Sequence, residues 1–333
     1  MKVLTALIAV VGLMALAFVG AGAGGLDTVF GVAVPYLAIL LFVGGFSYRI
    51  YKWASSPVPF RIPTTCGQQK SLDWIKHDKL EAPHTTGQVV VRMLLEVFLF
   101  RSLFRNTKTD LVEEDGGTKL VYSSNKWLWL GGITFHIAFF TIVLRHLRFF
   151  TEPVPALVQA IEGADGFFQL TLPALYQTDL VIVAALSYLF LRRLFNPQVR
   201  YISLANDFFP LFLILAIAGT GMLMRHIWRV DIVSIKQLAM GLATFSPTVP
   251  SGIGSLFYIH LFLVSVLVAY FPFSKLMHLG GVFMSPTRNL PNNSREVHHV
   301  NPWNYDVKVH TYAEYEDEFR DVMKKAELPL DKE

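Results

Sequence analysis

Four histidines lie in runs apolar enough to cross a bilayer. His136 and His146 occupy 127–150, WLWLGGITFHIAFFTIVLRHLRFF, and His260 and His278 occupy 255–284. An ionisable side chain placed in lipid is costly, so a membrane histidine is a functional candidate by default. A single one would be weak, but four on two apolar segments without acidic residues in their cores call for a specific chemistry. Proton relays alternate histidine with Asp or Glu. Metal ligation needs only the neutral imidazole, which suits iron.

The spacing gives that chemistry a geometry. His136 and His146 are ten residues apart, about 15 Å along a helix and within about 80° of one another around it. His260 and His278 are eighteen apart, five turns and about 27 Å, on one side of an ideal continuous helix. The two segments run in opposite directions. His146 therefore pairs with His260 toward one membrane face, and His136 with His278 toward the other. One imidazole from each segment gives a six-coordinate, electron-carrying haem at each level. The unequal spacings require a tilt or bend, and Pro272, between His260 and His278, is a physical cause of one.

The bulk numbers agree with a membrane chain. Of 333 residues, 53% are hydrophobic and 16% charged, well below the roughly 25% charged of a soluble domain. The net charge of +4 reports orientation here and is no nucleic-acid signal. The single cysteine, Cys66, excludes an internal disulfide, a Cys-ligated iron–sulfur cluster and a C-x-x-C-H haem attachment. Any haem is thus non-covalent (b-type), any cluster sits on a partner, and Cys66 reads as a plain or partner-facing thiol.

Spans of about 20 apolar residues fall at 3–23, 31–51, 127–149, 174–195, 206–227 and 255–275. The fold class is an all-α, polytopic bundle of six transmembrane helices. Lys2 and Ala21-Gly22-Ala23 would suit a cleaved signal peptide, but the apolar run continues to Leu26 and favours an uncleaved helix. The chain divides into two N-terminal helices (1–53), a cytoplasmic segment (54–125), a four-helix core (126–284) and a polar tail (285–333). Pro57, Pro59 and Pro63 open the cytoplasmic segment. Within it, 89–104 reads as a helix lying in the membrane interface, with Arg92 and Glu96 at i,i+4, and 110–117 as a turn. The loop 152–179 holds a short surface helix, and 231–245 another that ends before Pro247. The tail carries an acidic patch at 314–318. With both termini in the cytoplasm, every Lys and Arg falls inside except Arg145, Arg148, Arg225, Arg229 and Lys236.

Those outer cations need anions. Haem propionates, paired in bidentate fashion, and lipid phosphates are the two alternatives for Arg145, Arg148, Arg225 and Arg229; a quinone headgroup is a third contact. His226 reads as an interfacial side chain, a quinol contact that takes the first proton, or a further ligand. Gly131, Gly132, Gly219, Gly221, Gly280 and Gly281 flank the histidines. They serve either a flat macrocycle close to the backbone or ordinary helix packing. His77, His84, His298, His299 and His310 lie in polar segments and read as surface or interface residues.

On these residues the chain resembles the di-haem cytochrome b family typified by the respiratory nitrate reductase gamma chain. The ten- and eighteen-residue histidine spacings match that family's pattern, as do Ser-Pro at 246–247 and SPTRN at 285–289. TTCGQ at 64–68 and NPWNYDVK at 301–308 resemble the DsrM-type membrane cytochromes of dissimilatory sulfite reduction (DsrMKJOP) complexes. The resemblance implies His136, His146, His260 and His278 as axial ligands of two haem b and menaquinone/menaquinol as redox partner. It also implies a cytoplasmic iron–sulfur DsrK-like subunit as acceptor, with further membrane and periplasmic cytochrome subunits in a complex of the cell inner membrane. The extra first helix and segment 54–125 depart from the gamma chain, so its quinone site is not carried over. Two rivals remain. A non-redox membrane anchor explains the cytoplasmic segments but not four aligned histidines, and a transporter would want broken helices with polar midplane residues.

Overall fold

The computed structural model describes residues 1–58, 61–62, 67–114, 117–168, 173–300 and 309–332. Cys66, Pro59, Pro63, the first three residues of TTCGQ and all of NPWNYDVK lie outside the described residues. The chain is mostly helical. Five helices are long and apolar enough to cross a membrane: α1 (Lys2–Ala23), α2 (Val29–Ala54), α5 (Lys126–Phe149), α9 (Ala205–His226) and α11 (Ser255–Phe273). The sixth expected span is α7 (Gln177–Phe195). It packs between α5 and α9, but Asp179, Arg192 and Arg193 put three charges into its 19 residues. Between α5 and α7 lies α6 (Ala156–Asp165), the short helix expected in that loop. After α7 come α8 (Pro197–Ile202), then α9, then α10 (Ile232–Ala243), whose N-cap Asp231 accepts a hydrogen bond from the Val233 amide at 3.0 Å.

The bundle is ordered α5–α7–α9, with α9 also against α1 and α11, and α11 against α2. Two apolar clusters meet on α9. Leu213 packs with Ala17, Phe30, Leu238, Tyr258 and Leu263, while the next residue, Ile214, packs with Ala138, Ile182 and Leu186. α9 is thus the wall between the α1–α2–α11 side and the α5–α7 side. Helices α5 and α11, which carry His136, His146 and His260, are not a closely packed pair.

Four features differ from, or add to, the expectations. First, 255–284 is not one helix. α11 tightens to a 3₁₀ turn at Phe271–Phe273, Ser274 is extended (φ −121, ψ 179), and a second turn, Lys275–Met277, leads into α12 (His278–Gly281). Pro272 has no N–H to continue the ladder, and the break removes the mismatch between the two histidine spacings.

Second, 89–104 is two helices, α3 (Thr86–Leu99) and α4 (Arg101–Arg105), joined at Phe100. Phe100 has φ 50 and ψ 45, a left-handed conformation that costs a non-glycine residue about 1–2 kcal/mol. The charged side of α3 faces protein. Buried Arg92 donates to the carbonyls of Glu81 and Thr287, both at 3.2 Å, and buried Glu96 accepts from Ser102. Glu81 in turn pairs with Arg101 and Arg105, and Val90, Leu94 and Phe98 face outward. Nearby, Asp78 caps the amides of Leu80 and Glu81, and the Glu81 bond holds its carboxyl below the usual range.

Third, the expected turn at 110–117 lies within a hairpin, β1 (Thr107–Glu114) antiparallel to β2 (Gly117–Ser124) with Thr107 opposite Ser124. Fourth, the tail forms α13 (Pro286–Asn289) and an amphipathic α14 (Tyr312–Lys325), which opens with a Thr311/Glu314 capping box.

Candidate functional site: two histidine pairs between α5 and the α11–α12 region

The structure brings the four histidines together in the two expected pairs. The imidazoles of His146 and His260 have centroids 6.4 Å apart and planes 12° from parallel. Those of His136 and His278 are 5.8 Å apart and nearly perpendicular, at 88°. A metal–imidazole bond of about 2 Å plus about 1.2 Å from nitrogen to ring centre places trans ligands of one metal roughly 6 Å apart. Both pairs match that separation.

The second ring nitrogen of each histidine is accounted for. Nδ1 lies 2.7 Å from the Gly132 carbonyl in His136, 2.7 Å from that of Ile142 in His146 and 3.0 Å from that of Lys275 in His278. A carbonyl only accepts, so each of these Nδ1 atoms carries the proton and the neutral ring presents its Nε2 lone pair. In His260, Nδ1 lies 2.9 Å from the Thr220 hydroxyl. Hydrogen bonding at the remote nitrogen is the usual way in which a ligating histidine is oriented and its basicity raised.

The fold holds each ring from outside. Phe100, at the α3–α4 junction, and Phe135 each stand edge-on to His136 with centroids 5.0 Å away, and Phe149 lies 5.9 Å from His146. The Trp129 indole donates to the Leu99 carbonyl at 2.7 Å and so ties the α3–α4 elbow to α5. His278 is fixed through the break. Lys275, whose carbonyl it bonds, pairs at 2.6 Å with the buried Asp207 at the start of α9. Among the described residues no three His, Cys, Asp or Glu side chains converge. The arrangement is therefore two sites of two imidazoles each, the donor set of haem iron with four equatorial nitrogens supplied by the cofactor. The residues fit that group.

The glycines divide between the two uses left open by the sequence. A Cβ on Gly131 would lie 2.5 Å from the Tyr188 ring, and one on Gly280 2.8 Å from Ile50, so these two are helix-packing glycines. A Cβ on Gly221 would lie 3.4 Å from His260 Cε1, and one on Gly219 would meet nothing within 4 Å. Of these four, the two α9 glycines are the ones beside a histidine or open space.

The outer cations find carboxylates that sequence reasoning missed. Buried Arg145 pairs with buried Asp165 at 3.0 Å and with Asp179 at 3.1 Å. Arg148 pairs with Glu162 and Lys236 with Glu152. Arg225 donates twice to the Ala174 carbonyl, at 3.0 and 3.1 Å. The Arg145 and Arg225 guanidinium groups lie over the Tyr176 ring at 3.7 and 4.1 Å. Arg229 is exposed beyond the end of α9. His226 keeps a buried Nε2 without a hydrogen-bond partner among the described residues. Elsewhere, His84 pairs with Glu296 at 3.1 Å and His310 with Glu318 at 3.7 Å, as interface and surface residues do. A cavity of about 1160 Å³ lies between 68–80 and α3, lined by His77, Asp78 and Lys79 and by none of the four histidines.

Comparison with known proteins gives the family. The "Nitrate reductase gamma subunit" family matches residues 90–294, which include all four histidines. The chain is 46% identical over 285 residues to the "Hdr-like menaquinol oxidoreductase cytochrome b-like subunit" of Archaeoglobus fulgidus, covering 84% of each chain. It is 42% identical over 278 residues to the subunit of that name from Archaeoglobus profundus, covering 81% of each. The chain, a helical membrane protein with paired histidines between two of its helical segments, belongs to the nitrate reductase gamma subunit family.

Proposed function

We propose that this chain is the membrane cytochrome b subunit of a menaquinol-oxidising complex, and that it holds two haem b between α5 and the α11–α12 region. The observation that carries the reading is the pairing of His146 with His260 and His136 with His278 at separations that suit one metal each. When bound, haem supplies one-electron redox chemistry. The chain's residues do the rest. His136, His146, His260 and His278 present Nε2 to the iron, and their Nδ1 partners fix the rings. Phe100 and Phe135 pack edge-on against the His136 ring. The similarity to cytochrome b-like subunits of menaquinol oxidoreductases supports menaquinol as the donor.

In this reading the protein has six spans, with α7 the sixth, and both termini in the cytoplasm. Menaquinol gives up electrons and protons near the outer pair. His226, whose Nε2 is buried and unpartnered among the described residues, accepts the first proton, and Arg225 and Arg229 contact the quinone headgroup or a haem propionate. Arg145 and Arg148 neutralise carboxylates of the fold. His146 and His260 would hold the haem nearer the quinol, and His136 and His278 the haem nearer a cytoplasmic iron–sulfur acceptor, DsrK-like in the sulfite-reduction setting that TTCGQ and NPWNYDVK point to. Exposed Leu72 (59%) and Trp74 (80%), beside the large cavity, offer that partner a face. A non-redox anchor has no use for two imidazole pairs with prepared tautomers.

The test is reduction of the purified chain by a soluble menaquinol analogue, followed in the visible haem bands. Reduction of both haems is expected in wild type. A chain that binds haem but takes no electrons from the quinol would contradict the assignment.

A further inference from the structure

We propose that Thr220 is a positioning residue. It fixes the His260 imidazole from a neighbouring helix and so sets the near-parallel orientation of the outer ring pair. The proposal rests on the reading that His146 and His260 ligate one haem.

Thr220 lies on α9 and is 2% exposed. Its hydroxyl oxygen is 2.8 Å from the Ala216 carbonyl, 3.0 Å from that of Ile217 and 2.9 Å from His260 Nδ1. The carbonyls only accept, so the single hydroxyl proton goes to α9's own backbone. The oxygen lone pair that remains accepts the His260 Nδ1–H. Back-bonding to the preceding turn restricts the threonine rotamer, so the acceptor is held in place. Gly221 leaves room for the ring, since a Cβ there would already approach His260 Cε1 at 3.4 Å.

His260 is alone among the four in this respect. His136, His146 and His278 each bond a carbonyl three or four residues earlier in their own segment. Their ring orientations follow their own backbone, whereas that of His260 is set from a different helix, by the Thr220 hydroxyl with the Ile217 carbonyl of the same turn beside it. The outcome differs too, with outer planes 12° apart and inner planes 88° apart. Near-parallel axial planes split the two iron d orbitals that overlap the ligand π systems, and ferric iron then gives a rhombic low-spin spectrum. Perpendicular planes leave those orbitals nearly equal in energy and give one strongly anisotropic low-field line. The two centres are therefore distinguishable by electron paramagnetic resonance, and Thr220 governs the rhombic one. Loss of the Nδ1–H acceptor also makes His260 a poorer donor to ferric iron, which raises the midpoint potential of that centre alone.

The test uses the full chain purified in detergent as wild type, Thr220→Val, Thr220→Ser and His260→Ala. Haem content, the oxidised paramagnetic spectrum and a redox titration are measured on each. Thr220→Val is expected to alter the rhombic signal and raise one potential while the anisotropic signal stays unchanged. Thr220→Ser is expected to restore wild-type behaviour. If Thr220→Val instead loses one haem, recovery of that haem in Thr220→Ser supports the hydroxyl's role. A serine variant that behaves like valine assigns Thr220 to packing and overturns the proposal, as does a valine variant with wild-type spectrum and potentials. His260→Ala that keeps two haems defeats the ligand reading itself, a result separate from the Thr220 comparison.

Discussion

Each of the four histidines commits its Nδ1 proton to an oxygen of the fold and leaves Nε2 available, and each faces one partner ring. This arrangement makes a pairing prediction that haem content can read. His146→Ala should lower haem by one per chain, and His146→Ala combined with His260→Ala should lower it no further, because both serve one site. His146→Ala combined with His136→Ala should remove both. A pyridine haemochrome assay on the four proteins separates these outcomes, and two haems lost in the His146/His260 double variant would break the pairing. At this scale much was legible in advance. The ten-residue spacing on α5 and the antiparallel run of the second segment name the partners without coordinates. The oxygens that fix the tautomers were not legible. Three are backbone carbonyls, which no side-chain pattern marks, and the fourth, Thr220, is a lone hydroxyl forty residues from its histidine.

Among the elements, the break after α11 shows how local chemistry overrides an ideal period. Pro272 in the sequence announced a bend. That Ser274 would become extended and Lys275 would tie the next turn to Asp207 depended on a tertiary contact with α9. The α5–α6–α7 corner behaves likewise. Arg145 looked like an outer cation in want of an external anion, and its partners, Asp165 and Asp179, come from two other elements. Removing one member of a buried ion pair costs about 3–5 kcal/mol. Arg145→Ala should therefore lower the thermal unfolding temperature in detergent markedly, whereas removal of the exposed Arg229 should leave it near wild type. Gly131→Val is a second test of this corner. Its Cβ would meet the Tyr188 ring at 2.5 Å, and overpacking of this kind costs about 1–3 kcal/mol. Lower stability of the α5–α7 contact is expected, with a matching fall in the yield of haem-loaded protein. The hairpin 107–124 and helix α14 were missed although their signals were present. Asp115-Gly116 separates two β-prone runs, and Thr311 precedes Glu314 in capping-box register. Both segments are mostly exposed, so no strong hydrophobic period announced them.

For the whole molecule, the proposed function makes the two ring pairs a route for electrons along the membrane normal. Inward electron movement coupled to outward proton release would be electrogenic. The orientation this requires has its own test. In a chain with Cys66 replaced by serine, Ser123→Cys in the hairpin should react with a membrane-impermeant thiol reagent only in inverted vesicles. Thr151→Cys, in the α5–α6 connection, should react only in right-side-out ones, and the opposite pattern would reverse the proposed direction of charge movement. The membrane class was plain from composition. The number of spans was less so, because α7 carries three charges and its membership of the bundle is seen in its packing between α5 and α9. The most direct measurement of the central claim is the dithionite-reduced minus oxidised visible spectrum of the purified chain, quantified by pyridine haemochrome, from cells supplied with haem. Two b-type haems per chain are predicted, and a protein that folds and purifies without haem would contradict the account.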